Sequence, residues 1–312
     1  MTMHQASGRW KLGLALALVT TACWSTLPVA LKMTLASLDP YTLTWFRFVS
    51  AGAVLLAWLA ARGQLGGFAG LGASRWRLLL AAGVLLIGNY VFYLLGVQHT
   101  SPGNAQLLIQ LAPLLMALGG ILVFRERYRL GQWLGLAIIA TGLLLFFRDQ
   151  AAQVTMATRA YALGSGLVVL AAVVWAAYAL IQKQLLTRLS SPAILLFIYL
   201  LASVVLLPLA HPSRLLELDA AAWWLLAYCA LNTLVAYGAF AEALAHWEAS
   251  RVSTILATTP LLSLAVIAAV HGLWPEAIAA ERVGAWGYFG AGLVVLGSAM
   301  SSLLGTREVE AA

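Results

Sequence analysis

The chain has 312 residues, of which 62% are hydrophobic and only 9% are charged, and its formal net charge is +7. Soluble domains carry roughly a quarter of charged residues, so this composition excludes an ordinary soluble enzyme and describes an integral membrane protein. The basic excess lies in short clusters between apolar runs, where it reads as a topology signal, and no nucleic-acid partner is expected.

At about 17 to 25 apolar residues per crossing, ten spans are predicted. A polar lead with Arg9 and Lys11 precedes the first, Leu12 to Met33. That stretch exceeds the apolar core of a secretory signal, about 7 to 15 residues, and is expected to stay as a span. Tyr41 to Ala61, Leu78 to Val97, Ala105 to Phe124 and Leu130 to Phe147 follow. A polar segment with Asp149, Gln150, Gln153 and Thr155 comes next. The second set is Ala160 to Ile181, Ala193 to Ala210, Ala222 to Leu244, Val252 to His271 and Val283 to Leu304.

Lysine and arginine are retained on the cytoplasmic side. With a cytoplasmic N-terminus, that side holds Arg9, Lys11, Arg62, Arg75, Arg77, Arg125, Arg127, Arg129, Lys183, Arg188, Arg251 and Arg307. The other side holds Lys32, Arg148, Arg159, Arg214 and Arg282, and Arg47 is left within a span. Both termini are therefore expected in the cytoplasm.

The two sets of five are related by sequence. At an offset of 147, Tyr90 matches Tyr237, His99 matches His246 and Pro113-Leu114-Leu115 matches Pro260-Leu261-Leu262; at 151, Trp24 and Lys32 match Trp175 and Lys183. The fifth spans share the spacing Gly135 to Gly142 and Gly290 to Gly297. Five spans per copy make the second copy enter from the opposite side, an inverted repeat of the kind on which transporters are built. The expected fold is thus all-α, ten transmembrane helices in two inverted five-helix repeats around a central cavity. The units are 1–148, a linker at 149–159, 160–304, and a cytoplasmic tail at 305–312.

Pro113 and Pro260, mid-way along their apolar runs, each remove a backbone donor and point to matching helix kinks at a transport site; static kinks serving packing are the alternative. Gln106 and Gln110 share a helical face leading to Pro113, and Thr254 and Thr258 repeat that spacing; interhelical hydrogen bonding is the plainer role for both pairs. Asn89, Tyr90 and Tyr93 on the third span and Asn232 and Tyr237 on the eighth, with Trp24, Trp175 and Tyr178, supply flat apolar surfaces and a few polar groups for a small-molecule site. Glu242 and His246, one turn apart, form either a proton relay or an interfacial pair. Arg47 is either a counter-charge for a carboxylate or a snorkelling side chain.

Enzyme signatures are absent from the sequence: no GxxxxGK[ST], GxSxG or HExxH. The histidines are scattered, and Cys23 and Cys229 lie in apolar runs without a CxxC spacing. No catalytic residue, cofactor or metal is expected. Gly131 and Gly135 form a GxxxG compatible with internal packing or a dimer, so the chain is read as a monomer or weak dimer.

The five-plus-five organisation, the FRF at Phe46 to Phe48, the RER at Arg125 to Arg127 and the glycine-rich fifth spans resemble the drug/metabolite transporter superfamily, in particular its EamA-type members. The stretch Asn232 to Leu264 resembles the YddG-type aromatic amino-acid exporters of bacterial inner membranes. The resemblance implies a basket of ten helices, with a cavity formed mainly by the third, fourth, eighth and ninth spans. It also implies export of aromatic and other neutral amino acids across the bacterial inner membrane by alternating access. A drug, metabolite or nucleotide-sugar carrier of the same fold is the alternative, and a non-transporting scaffold or receptor subunit is the alternative of another class.

Overall fold

The computed structural model describes residues 9–68, 70–124, 128–153, 159–247, 252, 255–256, 258–281 and 283–303. They form helices α1 (Trp10–Thr34), α2 (Pro40–Ala61), α3 (Ala73–His99), α4 (Pro102–Leu108), α5 (Leu111–Phe124), α6 (Leu130–Gln153), α7 (Arg159–Leu185), α8 (Ser191–Val205), α9 (Ala220–His246), α10 (Thr259–Leu273) and α11 (Ala285–Leu303). Two 3₁₀ turns, Leu65–Phe68 and Pro212–Glu217, sit in connections, and no strand occurs among the described residues.

Several starts are written locally. Asp39 caps α2 by accepting from the amides of Tyr41 (3.0 Å) and Thr42 (2.9 Å), with Pro40 in the first turn, where its missing donor costs nothing. Ser190 and Asp219 cap α8 and α9 through the amides of Ala193 and Ala222.

Six helices among the described residues are long and apolar enough to cross a membrane, and four shorter apolar helices accompany them. The expected fourth span divides. Pro113 offers no amide to Ile109, and the chain responds with tighter bonds: Gln110 N donates to Leu107 O (3.1 Å) and Ala112 N to Ile109 O (2.9 Å). The break separates α4 from α5 four residues before the proline, and so does not lie at it. In the other half Pro260 stands in the first turn of α10, behind Thr258, whose own amide donates to Ile255 O (3.1 Å). Helix α6 extends to Gln153, through the start of the expected linker, and Asp149 there accepts from the amide of Gly284 (2.8 Å), just ahead of α11.

Packing joins α6 with α11, α3 with α7, α1 with α9, α2 with α8 and α4 with α10. Glycine sets the closest seam. A Cβ at Gly142 would stand 2.5 Å from Gly290 O, and one at Gly297 2.6 Å from Gly135 O, so α6 and α11 run antiparallel in near backbone contact. The equal glycine spacing of the fifth spans is thus two sides of one seam. Gly13 of α1 lies against Trp247, past the end of α9, and Gly164 of α7 lies against Thr100, past the end of α3. Those contacts are the same pair of positions shifted by 151 and 147.

The polarity is that of a lipid-solvated protein. Val84, Leu122, Leu144 and Val204 face outward, whereas Thr20, Ser25, Asn89, Asn104, Asn232 and Ser263 are buried. Trp10, Trp76, Trp133, Trp224, Trp274 and Trp286 are exposed at helix ends, as interfacial anchors should be. Trp45 differs: its indole donates to Ser203 O (3.0 Å) and ties α2 to α8.

Candidate functional site

The repeat-related tyrosines meet. Tyr90 on α3 and Tyr237 on α9 each stand nine residues before the end of a 27-residue helix. Their hydroxyls are electrostatic neighbours, together with those of Tyr178 on α7 and Tyr199 on α8. Phe48 packs on Tyr90 (ring centroids 4.6 Å apart) and on Tyr199 (5.5 Å). Across the group, Trp24 meets Tyr237 edge-on at 5.7 Å and Phe240 at 5.8 Å. Trp175 packs at the margin of the same cluster as Tyr90 and Tyr178. Six helices, three from each half of the sequence, therefore place an aromatic wall at one locus, and four of them supply its phenolic handles.

Arg47, left unassigned between two roles by the sequence, lies against that wall and does not snorkel. It is 3% exposed, its guanidinium sits 5.0 Å over the Tyr90 ring, and its Nε donates to Thr233 Oγ1 on α9 at 3.1 Å.

The amides divide between structural and open roles. Asn89 donates to Ala171 O (2.9 Å), tying α3 to α7, and Asn232 donates to Cys23 O (2.8 Å), tying α9 to α1. These tethers use up donors that the sequence reading offered to a ligand, although Asn232 Oδ1 is enclosed with no partner. Tyr93 donates to Gln106 Oε1 (3.2 Å), which locks α3 to α4. Gln110 and Thr258 are half-buried at the two helix breaks, and Thr254 lies outside the described residues. Glu242 and His246 pair at 3.1 Å in the last turn of α9, the glutamate side chain 62% exposed.

One cluster has no counterpart in the sequence reading. Glu281, in the connection between α10 and α11, reaches the start of α4. It accepts from the Ser101 hydroxyl and, through Oε1, from the Asn104 amide at 3.1 Å, while Oε2 is enclosed without a partner. Burial pushes its carboxyl above the ordinary value of 4.5, against the opposing pull of the Ser101 hydroxyl, the Asn104 and Gly103 amides and the Lys32 charge. Lys32, read from sequence as a topology marker, donates to the carbonyls of Val97 (2.7 Å), Gln98 (2.8 Å) and Thr100 (2.8 Å) at the end of α3. Asn104 also donates to Ser165 on α7 (2.9 Å). Each helix end thus meets a side chain of the opposite sign, lysine at the carbonyl end of α3 and a carboxyl at the amide end of α4. The available signal was the register of the fifth spans: at the offset linking Gly135 to Gly290, Glu281-Arg282 aligns with Glu126-Arg127 of the RER.

A surface depression lined by Ser37, Asp39, Gln98, His211 and Arg214 holds none of the predicted site residues. No metal-binding cluster of histidine, cysteine or carboxylate occurs among the described residues.

The model of the EamA-like transporter family matches residues 11–148 and again 162–303. An "uncharacterized inner membrane transporter YhbE" of Escherichia coli strain K12 is 37% identical over 306 residues, covering 98% of this chain and 94% of the relative. An "uncharacterized transporter" of Haemophilus influenzae is 35% identical over 94% of this chain and 95% of its own length. More distantly, a "probable amino-acid metabolite efflux pump" of Salmonella typhimurium is 25% identical over 82% of this chain and 86% of its own. A crystal structure with 18% sequence identity superimposes with a TM-score of 0.65 over 96% of this chain and 98% of its own, a likeness of fold.

Proposed function

The chain belongs to the EamA-like transporter family, and from that footing we propose that it exports aromatic and other neutral amino acids across the bacterial inner membrane. The mechanism we propose is alternating access between two inverted five-helix halves, 1–148 and 160–304, with both termini cytoplasmic and the YddG-type exporters as the functional parallel.

The observation that carries the reading is the pattern of packing. Numbered by expected span, the packed pairs between the halves are first with eighth and ninth, second with seventh and eighth, third with sixth and seventh, fourth with sixth and ninth, and fifth with tenth. Exchanging the halves, by adding or subtracting five, returns the same set. Antiparallel contacts in the α1/α9, α3/α7 and α6/α11 pairs agree with the parity of ten crossings. Under such an exchange Tyr90 and Tyr237 swap places, and residues that swap and also touch lie near the pseudo-twofold axis. Substrate bound on that axis can face either side with equivalent walls.

The wall favours a flat ring: Trp24, Tyr90, Trp175, Tyr178 and Tyr237 present aromatic faces, with Gln106, Gln110, Tyr93, Asn232 and Thr258 as the proposed polar complement, to which sequence spacing alone adds Thr254. The relative named as an amino-acid metabolite efflux pump adds support for the substrate class. Purified protein in liposomes preloaded with labelled phenylalanine or tryptophan tests the reading. Release should exceed that from empty liposomes, and equal release for every neutral amino acid tried would overturn it.

A further inference from the structure

We propose that Arg47 is the group that recognises a carboxylate on the transported molecule. The inference deepens the transport reading and rests on it for the word "transported"; the recognition chemistry stands on geometry alone.

Arg47 lies seven residues into α2, about 10 Å along the helix. It is 3% exposed, and such a charge is costly within a bilayer unless something compensates it. Its neighbours are neutral. The Tyr90 ring lies under the guanidinium, and Tyr93, Tyr199 and Cys229 are its other electrostatic partners. Among the described residues no carboxylate pairs with it, and Thr233 Oγ1 is the one acceptor it reaches, through Nε. Both Nη groups, the half of the fork that binds a carboxylate through two parallel bonds, therefore have no acceptor. They are not fully enclosed either, because among the described residues the enclosed side-chain atoms without a partner are Asn232 Oδ1, Ser263 Oγ and Glu281 Oε2.

Folding does not demand the charge. At an offset of 151, Phe46, Phe48 and Ala51 of α2 match Phe197, Tyr199 and Ala202 of α8, and the position matching Arg47 is Ile198, which is fully buried. The same site in the other half is filled by an apolar residue. A cation kept on one side only, anchored at Nε, stacked on the tyrosine that meets its repeat partner and open at Nη, is arranged to complete its shell with an anionic oxygen pair from a ligand.

The test is ligand-induced thermal stabilisation of the purified full-length protein with three probes of one ring size: phenylalanine, phenylacetate and phenethylamine. Phenylalanine and phenylacetate should stabilise the wild type at concentrations about tenfold or more below those needed for phenethylamine, the factor expected for a charge-assisted hydrogen-bond pair. Arg47→Gln should abolish that preference and Arg47→Lys should keep part of it. Thr233→Val, which frees Nε, should weaken it severalfold. If Arg47→Gln does not fold, the other two variants decide. Phenethylamine matching phenylacetate on the wild type, an absence of stabilisation by either carboxylate, or an undiminished preference in Arg47→Gln or Thr233→Val would overturn the proposal. Phenylalanine release from liposomes is scored separately: carboxylate preference without release removes the transport reading and leaves Arg47 its role, and release without preference does the reverse.

Discussion

Gly142→Ala is a perturbation of one methyl group whose cost can be worked from the seam between α6 and α11. The added Cβ would stand 2.5 Å from Gly290 O, 2.9 Å from the Val294 amide nitrogen and 3.0 Å from Leu293 Cβ, two of the three being backbone atoms that cannot rotate away. Ordinary contact begins near 3.4 Å, so the helices must separate by about 0.9 Å locally (3.4 − 2.5). Separation also loosens the second glycine contact, Gly135 with Gly297, two turns along. Overpacking of this kind costs about 1–3 kcal/mol. Alanine recovers up to about 1 kcal/mol through its better helix propensity. A net loss of about 1–2 kcal/mol is expected, or roughly 2–6 °C in unfolding temperature. Tryptophan fluorescence during heating of the detergent-solubilised protein reads this directly. Gly292→Ala on α11, the facing helix of the seam, meets nothing within 4 Å and serves as the control, expected unchanged or slightly stabilised. Gly142→Ala with Gly290→Ala should lose less than the sum of the two, since one opening of the seam accommodates both methyls. A Gly142→Ala protein as stable as Gly292→Ala would refute the close backbone approach.

Three further outcomes are expected. The raised carboxyl of Glu281 means that the folded chain holds a proton the unfolded chain has released. Its contribution to stability is therefore complete below about 4.5 and falls as pH climbs from there through the raised value. Glu281→Gln should flatten that limb of the pH profile, and an unchanged slope assigns it elsewhere. Gln106→Leu strands the enclosed Tyr93 hydroxyl and should cost about 1–3 kcal/mol by thermal unfolding, with Tyr93→Phe largely restoring the loss; equal stability of all three proteins would dismiss that lock. Tyr237→Leu should slow phenylalanine release more than it lowers the unfolding temperature, and retained release would take Tyr237 out of the substrate wall.

Much was legible in the residues themselves. Hydropathy is a local sum, so the apolar runs announced the helices within a few residues at α1, α2, α9 and α11. Identity at fixed offsets is also local to each copy, which is why Tyr90 and Tyr237 could be singled out as partners. The break before Pro113 was not placed, because Leu107 and Leu111 add the same apolar weight whether or not the helix is continuous between them. Asn89 and Asn232 looked like ligand donors for a similar reason: a side chain's chemistry is written in the sequence, and the carbonyl that consumes it belongs to a helix from the other half.

That the chain is apolar, helical and doubled follows from its residues alone, since each of those properties is a sum or a comparison along the chain. What the few charges do depends on the packed fold. Arg47 is separated by 186 residues from the threonine that anchors it, Glu281 by 177 from the amide it accepts from, and Lys32 by 65 to 68 from the carbonyls it serves. A charge in an apolar medium is governed by what lies within a few ångströms, and that company is assembled only when the two halves close on each other.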